Sequence, residues 1–205
     1  KEIKMVPIKG GRAGGMDPQG KYFMVSASKS VHFFDSQTAE LVKTIKVPGG
    51  GGNFTCLKDG SKCYVGLRKA NAVGVIDMAK LDLMKTIETG PDANRLYLNP
   101  GNSRYGLFAN EAGKSDIVSI IDTQLDVKVK DIWTGLGPHN VAFDPDGKFA
   151  VISTKKENVA TLVDTGSADP NDWDVITTDL DSGIQNNGVR WVPSPAALKK
   201  ALAQN

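Results

Sequence analysis

The sequence predicts an all-β fold, a β-propeller of four-stranded antiparallel blades, on three observations. One unit recurs four times: an apolar strand, a turn built of Asp, Asn, Pro or Gly, a second apolar strand, a polar loop, and a third strand ending in Asp. The copies are GGMDPQGKYFMVSA…VHFFD (14–35), FTCLKDGSKCYVGL…VGVID (54–77), LYLNPGNSRYGLFA…VSIID (96–122) and VAFDPDGKFAVIST…ATLVD (141–164). The closing residues Asp35, Asp77, Asp122 and Asp164 are 42, 45 and 42 residues apart, a period at which each repeat is one small sheet that buries its faces only on its neighbours. After each Asp comes a more polar stretch, LVKTIKV (41–47), LMKTIET (83–89), VKVKDIW (127–133) or WDVITTD (173–179), and then a Gly-rich linker. Four strands and a crossover of that length make a propeller blade.

Taken in chain order, EIKMVPIKGG (2–11) aligns with LVKTIKVPGG (41–50), so residues 2–8 are expected to form the outer strand of an incomplete blade. Whole blades are expected over about 12–47, 53–89, 94–133 and 139–179. In DPQGK (17–21) and DPDGK (144–148) Pro sets φ at the first central turn position, and Gly20 or Gly147 supplies the left-handed residue of a bulged hairpin. The strands alternate imperfectly, as in sheets covered on both faces. The fourth strand reads as an outer edge, where Lys and Asp discourage further pairing. Beyond the fourth copy, NNGVRWVP (186–193) matches a first strand, so residues 188–193 are expected as the inner strand of a partial fifth blade. Ser194 and Pro195 are a good N-cap and first helical residue for a short C-terminal helix over 194–204. Residues 1–205 therefore form a single β-propeller domain or a partial propeller. It either closes as a small ring or is completed by another chain or by residues outside this sequence.

Composition supports a folded domain: 40% of residues are hydrophobic and 23% charged. The net charge is only +2 and lysines are scattered among acids, so the basic stripe needed for nucleic acid is missing. No apolar run reaches the roughly 18 residues of a membrane span. The N-terminus, KEIKMVPIKGG, has neither an initiator Met nor a signal-peptide core, as expected of a mature or trimmed product. Cys56 and Cys63 flank the turn LKDGSK on adjacent antiparallel strands. That placement suits a cross-strand disulfide in a periplasmic or extracellular protein, and equally two buried thiols in a reducing compartment.

The repeats CYVGLRKANAVGVIDMAKLDLMKTIETG (63–90) and GPHNVAFDPDGKFAVISTKKENVATLVDT (137–165) resemble the YVTN-type β-propeller, and the resemblance covers residues 2–193. Proteins with similar repeats include surface-layer and periplasmic binding proteins, lactonase-like enzymes, the haem domain of periplasmic nitrite reductases and propeller subunits of quinoprotein dehydrogenases. The resemblance implies fold far more specifically than function.

Candidate chemistry lies where the first strands begin. Alignment on the turns puts Arg12, Gly52, Asn94, His139 and Asn187 at one level and Ala13, Asn53, Arg95, Asn140 and Gly188 one residue on. Arginine forks and amides converging at a channel mouth suit a carboxylate, phosphate or other anion. The alternative is that the Asn residues satisfy tight loops. His139 is a weak candidate for a metal or haem ligand or a base, lacking a second ligand at suitable spacing. His32, in VHFFD, reads as packing. The closing aspartates read as turn caps, and Asp169, Asp172 and Asp174 do not match a calcium loop. No nucleophile elbow, phosphate loop, zinc motif or CxxCH occurs.

The function this supports is an extracytoplasmic binding or scaffold module. It would use its channel mouth or an exposed blade edge and have a protein partner or a second copy completing the open blade. The alternative is a propeller subunit or fragment of a periplasmic redox enzyme dependent on haem, quinone or copper.

Overall fold

The computed structural model describes residues 5–157 and 159–181. Among the described residues, sixteen strands form four antiparallel sheets, each with its strands in sequence order. Sheet 1 holds β1 (Gly11–Met16), β2 (Tyr22–Ala27), β3 (Ser30–Asp35) and β4 (Leu41–Lys46), and sheet 2 holds β5 (Phe54–Cys56), β6 (Lys62–Leu67), β7 (Ala72–Asp77) and β8 (Asp82–Glu88). Sheet 3 holds β9 (Ala93–Leu98), β10 (Tyr105–Asn110), β11 (Ile117–Asp122) and β12 (Val127–Trp133), and sheet 4 holds β13 (Pro138–Phe143), β14 (Phe149–Thr154), β15 (Val159–Asp164) and β16 (Asp174–Asp181). The architecture is that of a β-propeller.

The turns form for the local reasons read from the sequence. The Asp144 carboxylate accepts from Phe149 N at 2.8 Å, and Gly147 takes φ +70°, a conformation glycine adopts without a Cβ clash. At the ends of the third strands, Asp35 Oδ1 accepts from Gln37 N and Thr38 N, Asp77 Oδ1 from Ala79 N and Lys80 N, Asp122 Oδ1 from Gln124 N and Leu125 N, and Asp164 Oδ1 from Gly166 N, all within 3.0 Å. These are Asx turns, as expected.

Three apolar seams join successive sheets. Met24, Val31 and Phe33 of sheet 1 meet Phe54, Val65 and Ile76 of sheet 2. Tyr64, Val73 and Val75 meet Leu96, Phe108 and Ile121. Leu107, Val118 and Ile120 meet Val141, Ile152 and Val163. The same strand positions recur at each seam, so each sheet has a leading face toward its predecessor and a trailing face toward its successor. Full burial of such a side chain contributes about 1.5–3 kcal/mol. The loop that enlarges sheet 4 is anchored by Trp173, which is 1% exposed, packs edge-on to Tyr105 and donates from Nε1 to Ser167 O at 2.9 Å.

The expected outer strand over residues 2–8 does not form in its described part. Residues 5–8 have no strand pairing; Pro7 has no N–H to donate, and Val6 and Ile8 instead line a groove on sheet 1. Residues 1–4 and 182–205, and with them the inner strand over 188–193, Asn187 and the helix over 194–204, lie outside the described residues.

The turn aspartates make stability acid-sensitive. Hydrogen bonds from Thr38 N and Gln37 N hold Asp35 below the usual carboxylate range, and Lys80 N does the same for Asp77. Burial pushes Asp122 up, but the hydrogen bonds from Arg104, Leu125 and Gln124 outweigh it and the net shift is downward. A depressed folded-state pKa contributes stability above the unfolded value, about 3.9, that is lost as pH falls through the folded value. Thermal midpoints should therefore drop steeply below about pH 4. Asp122→Asn, which removes the pair with Arg104 (2.6 Å), should lower the neutral-pH midpoint and flatten the acid limb.

Candidate functional site

The inner edge of the fold is made by the first strands, and sheets 2 and 3 approach one another there through glycine. A Cβ on Gly66 would collide with the Asn94 carbonyl, so the bare backbone is what lets Asn53 N donate to Asn94 O at 2.9 Å across the seam. The side chains follow: Asn53 Nδ2 donates to Asn94 Oδ1 at 3.1 Å, and Asn94 Nδ2 donates to Glu111 Oε1.

Glu111 is the hub. Its side chain is 3% exposed and lies 3.3 Å from His139 Nε2, 3.0 Å from Lys155 Nζ and 3.5 Å from Arg68 Nη1. Arg68 also pairs through Nη2 with Asp92. Arg68, Glu111 and Lys155 each follow the last residue of a second strand, Leu67, Asn110 and Thr154. The repeat thus brings a cation, an anion and a cation from three sheets to one level. Backbone bonds fix that level: Glu111 N donates to Asp92 O at 3.1 Å and Lys155 N to Gly137 O at 2.9 Å, each tying the loop to the linker that opens its own sheet. Burial this deep leaves Glu111 satisfied by the donors of four side chains, Asn94, Arg68, Lys155 and His139.

One step further along the inner strands the Arg95 guanidinium sits 5.1 Å from the centre of the Tyr97 ring, a cation–π geometry. Tyr97 OH donates to Asn140 Oδ1 at 2.6 Å, and Asn140 Nδ2 lies 3.0 Å from His139 Nδ1. Burial pushes the Tyr97 phenol up to about 12, with the Glu111 charge adding and Arg95 opposing. Arg95, Tyr97, Thr55, Leu98, Val141 and Phe143 line an open groove of about 320 Å³.

Of the residues expected at the mouth, Asn94 and His139 meet Glu111, Asn53 joins them through Asn94, and Asn140 through His139 and Tyr97. Arg95 faces the groove instead. Arg12 lies against Gly51 at the first seam, where a Cβ on Gly51 would be 3.4 Å from Arg12 Cδ. Asn187 is outside the described residues. Glu111, Arg68 and Lys155 were not read from the sequence, although their common place after the second strand, 43 and 44 residues apart, was a usable signal. Among the described residues no group of three or more His, Cys, Asp or Glu is arranged to hold a metal. His32 lies 2.9 Å from Ser30 Oγ and from Thr44 Oγ1 and stacks on Phe34. Cys56 and Cys63, paired across β5 and β6, are joined by a disulfide.

No family model and no curated protein matches the chain, so the YVTN resemblance rests on the repeats alone. Among solved structures, hydrazine synthase of Kuenenia stuttgartiensis is similar with a TM-score of 0.71 and 23% identity, over 86% of this chain and 50% of that one. A candidate 6-phosphogluconolactonase of Bacteroides fragilis NCTC 9343 gives 0.68 and 21%, over 85% and 56%. A functionally unknown protein of Desulfotomaculum acetoxidans DSM 771 gives 0.62 and 14%, over 77% and 53%. The chain spans about half the length of these chains, and at such identities the likeness establishes the fold.

Replacing Glu111 tests the hub. Glu111→Gln leaves Arg68 and Lys155 facing a neutral amide, and should lower the free energy of urea unfolding by about 1.5–3 kcal/mol, the value of hydrogen bonds to a charged group. A loss under about 0.5 kcal/mol, within the range of ordinary surface substitutions, would show that the network does not hold the three sheets.

Proposed function

We propose that the chain is a non-catalytic propeller module of an extracytoplasmic assembly, one domain with blades over about 12–47, 53–89, 94–133 and 139–179. It would recognise a protein partner or a second copy through its inner mouth or an exposed sheet. The observation that carries this reading is the place of Glu111. An anion-binding mouth needs cations free to meet a ligand, and here a built-in carboxylate takes that position. It is met by Arg68, Lys155, His139 and Asn94, so the charges are spent on joining sheets 2, 3 and 4. The disulfide between Cys56 and Cys63 supports a periplasmic or extracellular location, since such bonds persist in oxidising compartments. What stays available for recognition is the groove at Arg95, whose guanidinium pairs with no carboxylate among the described residues.

A second reading, a subunit or fragment of a periplasmic redox enzyme with haem, quinone or copper at the mouth, is favoured by the likeness to hydrazine synthase. His139 is the residue that would serve as a ligand. Its Nε2 faces Glu111 at 3.3 Å and its Nδ1 faces Asn140 at 3.0 Å, so a metal there would have to displace one of these contacts, and the fit is poor.

The two readings part on native material. Protein recovered from its source compartment should run as a particle larger than the 21.9 kDa chain, show no absorption band beyond 300 nm and carry no stoichiometric metal. A haem, quinone or copper signature would overturn the scaffold reading in favour of the redox one. A native particle of the chain's own mass would remove the partner.

A further inference from the structure

Sheet 3 departs from its neighbours at the inner edge. The pairing of first with second strands puts Ala13, Asn53, Arg95 and Asn140 at one place in the repeat, and Gly15, Thr55, Tyr97 and Ala142 two residues on. Stacking therefore does not call for an arginine there, and Arg95 is exposed; a residue that breaks the local pattern without a packing reason points to function. Tyr97 gives it a fixed seat. The Tyr97 ring packs on the seam between sheets 3 and 4, and its hydroxyl donates to Asn140 Oδ1 at 2.6 Å and lies 3.3 Å from the His139 carbonyl. A guanidinium held over a ring face by cation–π attraction spends none of its N–H donors on that contact. The Arg95 guanidinium is 5.1 Å from the ring centre and pairs with no carboxylate among the described residues. Its neighbours do not need it either: Arg68 and Lys155 already stand against Glu111 and Asp92, so the charge of Arg95 is unbalanced beside them.

We propose that the groove at Arg95 binds a small organic carboxylate carried on an apolar body, the carboxylate gripped by the Arg95 guanidinium and the body laid on Leu98, Val141 and Phe143. The groove holds about 320 Å³, at the lower end of the range for small-ligand sites, about 300–1,000 Å³. Thr55 of β5, Arg95, Tyr97 and Leu98 of β9, and Val141 and Phe143 of β13 line it, so sheets 2, 3 and 4 suffice to form it. The guanidinium fork selects the charged end, because two parallel N–H donors match the two oxygens of a carboxylate. The remaining lining selects the body. Its hydroxyls are those of Thr55 and Tyr97, and both are engaged, Thr55 Oγ1 donating to Leu96 O at 2.6 Å and Tyr97 OH to Asn140; the other walls are aliphatic or aromatic. This names a ligand for the groove that the scaffold reading leaves available for recognition. It is tested on the purified chain, while that reading is tested on the native particle, so either fails without the other.

Titration of the isotope-labelled chain with phenylacetate, followed by amide NMR shifts up to about 10 mM ligand, tests this. A dissociation constant below about 1 mM is expected, with the shifting amides confined to Thr55 and to strands β9 and β13. Arg95→Ala, at an exposed position without an ion pair, should fold and should weaken binding about tenfold or more, the fold-change that a hydrogen bond to a charged group is worth. Two further probes need no variant. Phenylacetamide, which lacks the charge, and acetate, which lacks the ring, should each bind about tenfold or more weakly than phenylacetate. Absence of any shift with phenylacetate overturns the inference, as does a dissociation constant unmoved by Arg95→Ala. Equal binding of phenylacetamide would remove the role of the guanidinium, and equal binding of acetate the role of the apolar wall; either overturns it. Shifts lying outside these strands would place the ligand elsewhere and overturn it too.

Discussion

A four-stranded antiparallel sheet that is apolar on both faces cannot stand alone in water, and the rest of this structure follows from that. Each sheet here has a leading and a trailing face, and at each of the three seams the trailing face of one sheet covers the leading face of the next. The repeat is thus a packing requirement before it is a sequence pattern. Aliphatic and aromatic residues occupy the same strand positions at each of the three seams. Sheets 2 and 3, covered on both sides, contain most of the fully buried side chains, among them Tyr64, Leu67, Leu107 and Phe108.

Stacking sheets at their inner edges brings polar groups together whether or not they are wanted, and this chain resolves the crowding in two ways. Gly52 and Gly66 let backbones touch at the second seam. At the same level, the residues after successive second strands alternate in charge, Arg68, Glu111 and Lys155, so the repeat that aligns them also pairs them. Breaking one member would leave the others charged and desolvated, which is why such a network favours one arrangement of the sheets. A mouth committed in this way is a rigid framework that joins sheets 2, 3 and 4.

Much of the fold was legible because its signals are local. Asp144 with Gly147 makes a turn wherever it stands, and Asp35, Asp77, Asp122 and Asp164 cap theirs through bonds to residues two or three positions on. The cysteines could be placed because β5 and β6 are joined by one short turn. Glu111 was not legible in the same way: its partners come from three sheets, and a lone acid in NEAGK looks like any solvated loop residue. Turn alignment did bring Asn53, Asn94 and His139 together. It could not tell which side chains point into the mouth, so Arg12 and Arg95 were grouped with residues from which they diverge. Residues 5–8 failed as a strand because similarity to residues 44–47 preserved the apolar pattern but not the donors, Pro7 standing where Lys46 pairs with Ser30.

Native-state hydrogen exchange, followed strand by strand in dilute protein below any association, tests the nearest-neighbour account most directly. Amides of β6, β7, β10 and β11, in sheets packed between two others, should be the slowest to exchange, and those of β2 and β3, in a sheet that among the described residues packs against one other sheet only, should open at markedly lower free energy. Equal protection of sheet 1 and sheet 2 under those conditions would contradict the account, because stability would then not follow from which faces the neighbouring sheets cover.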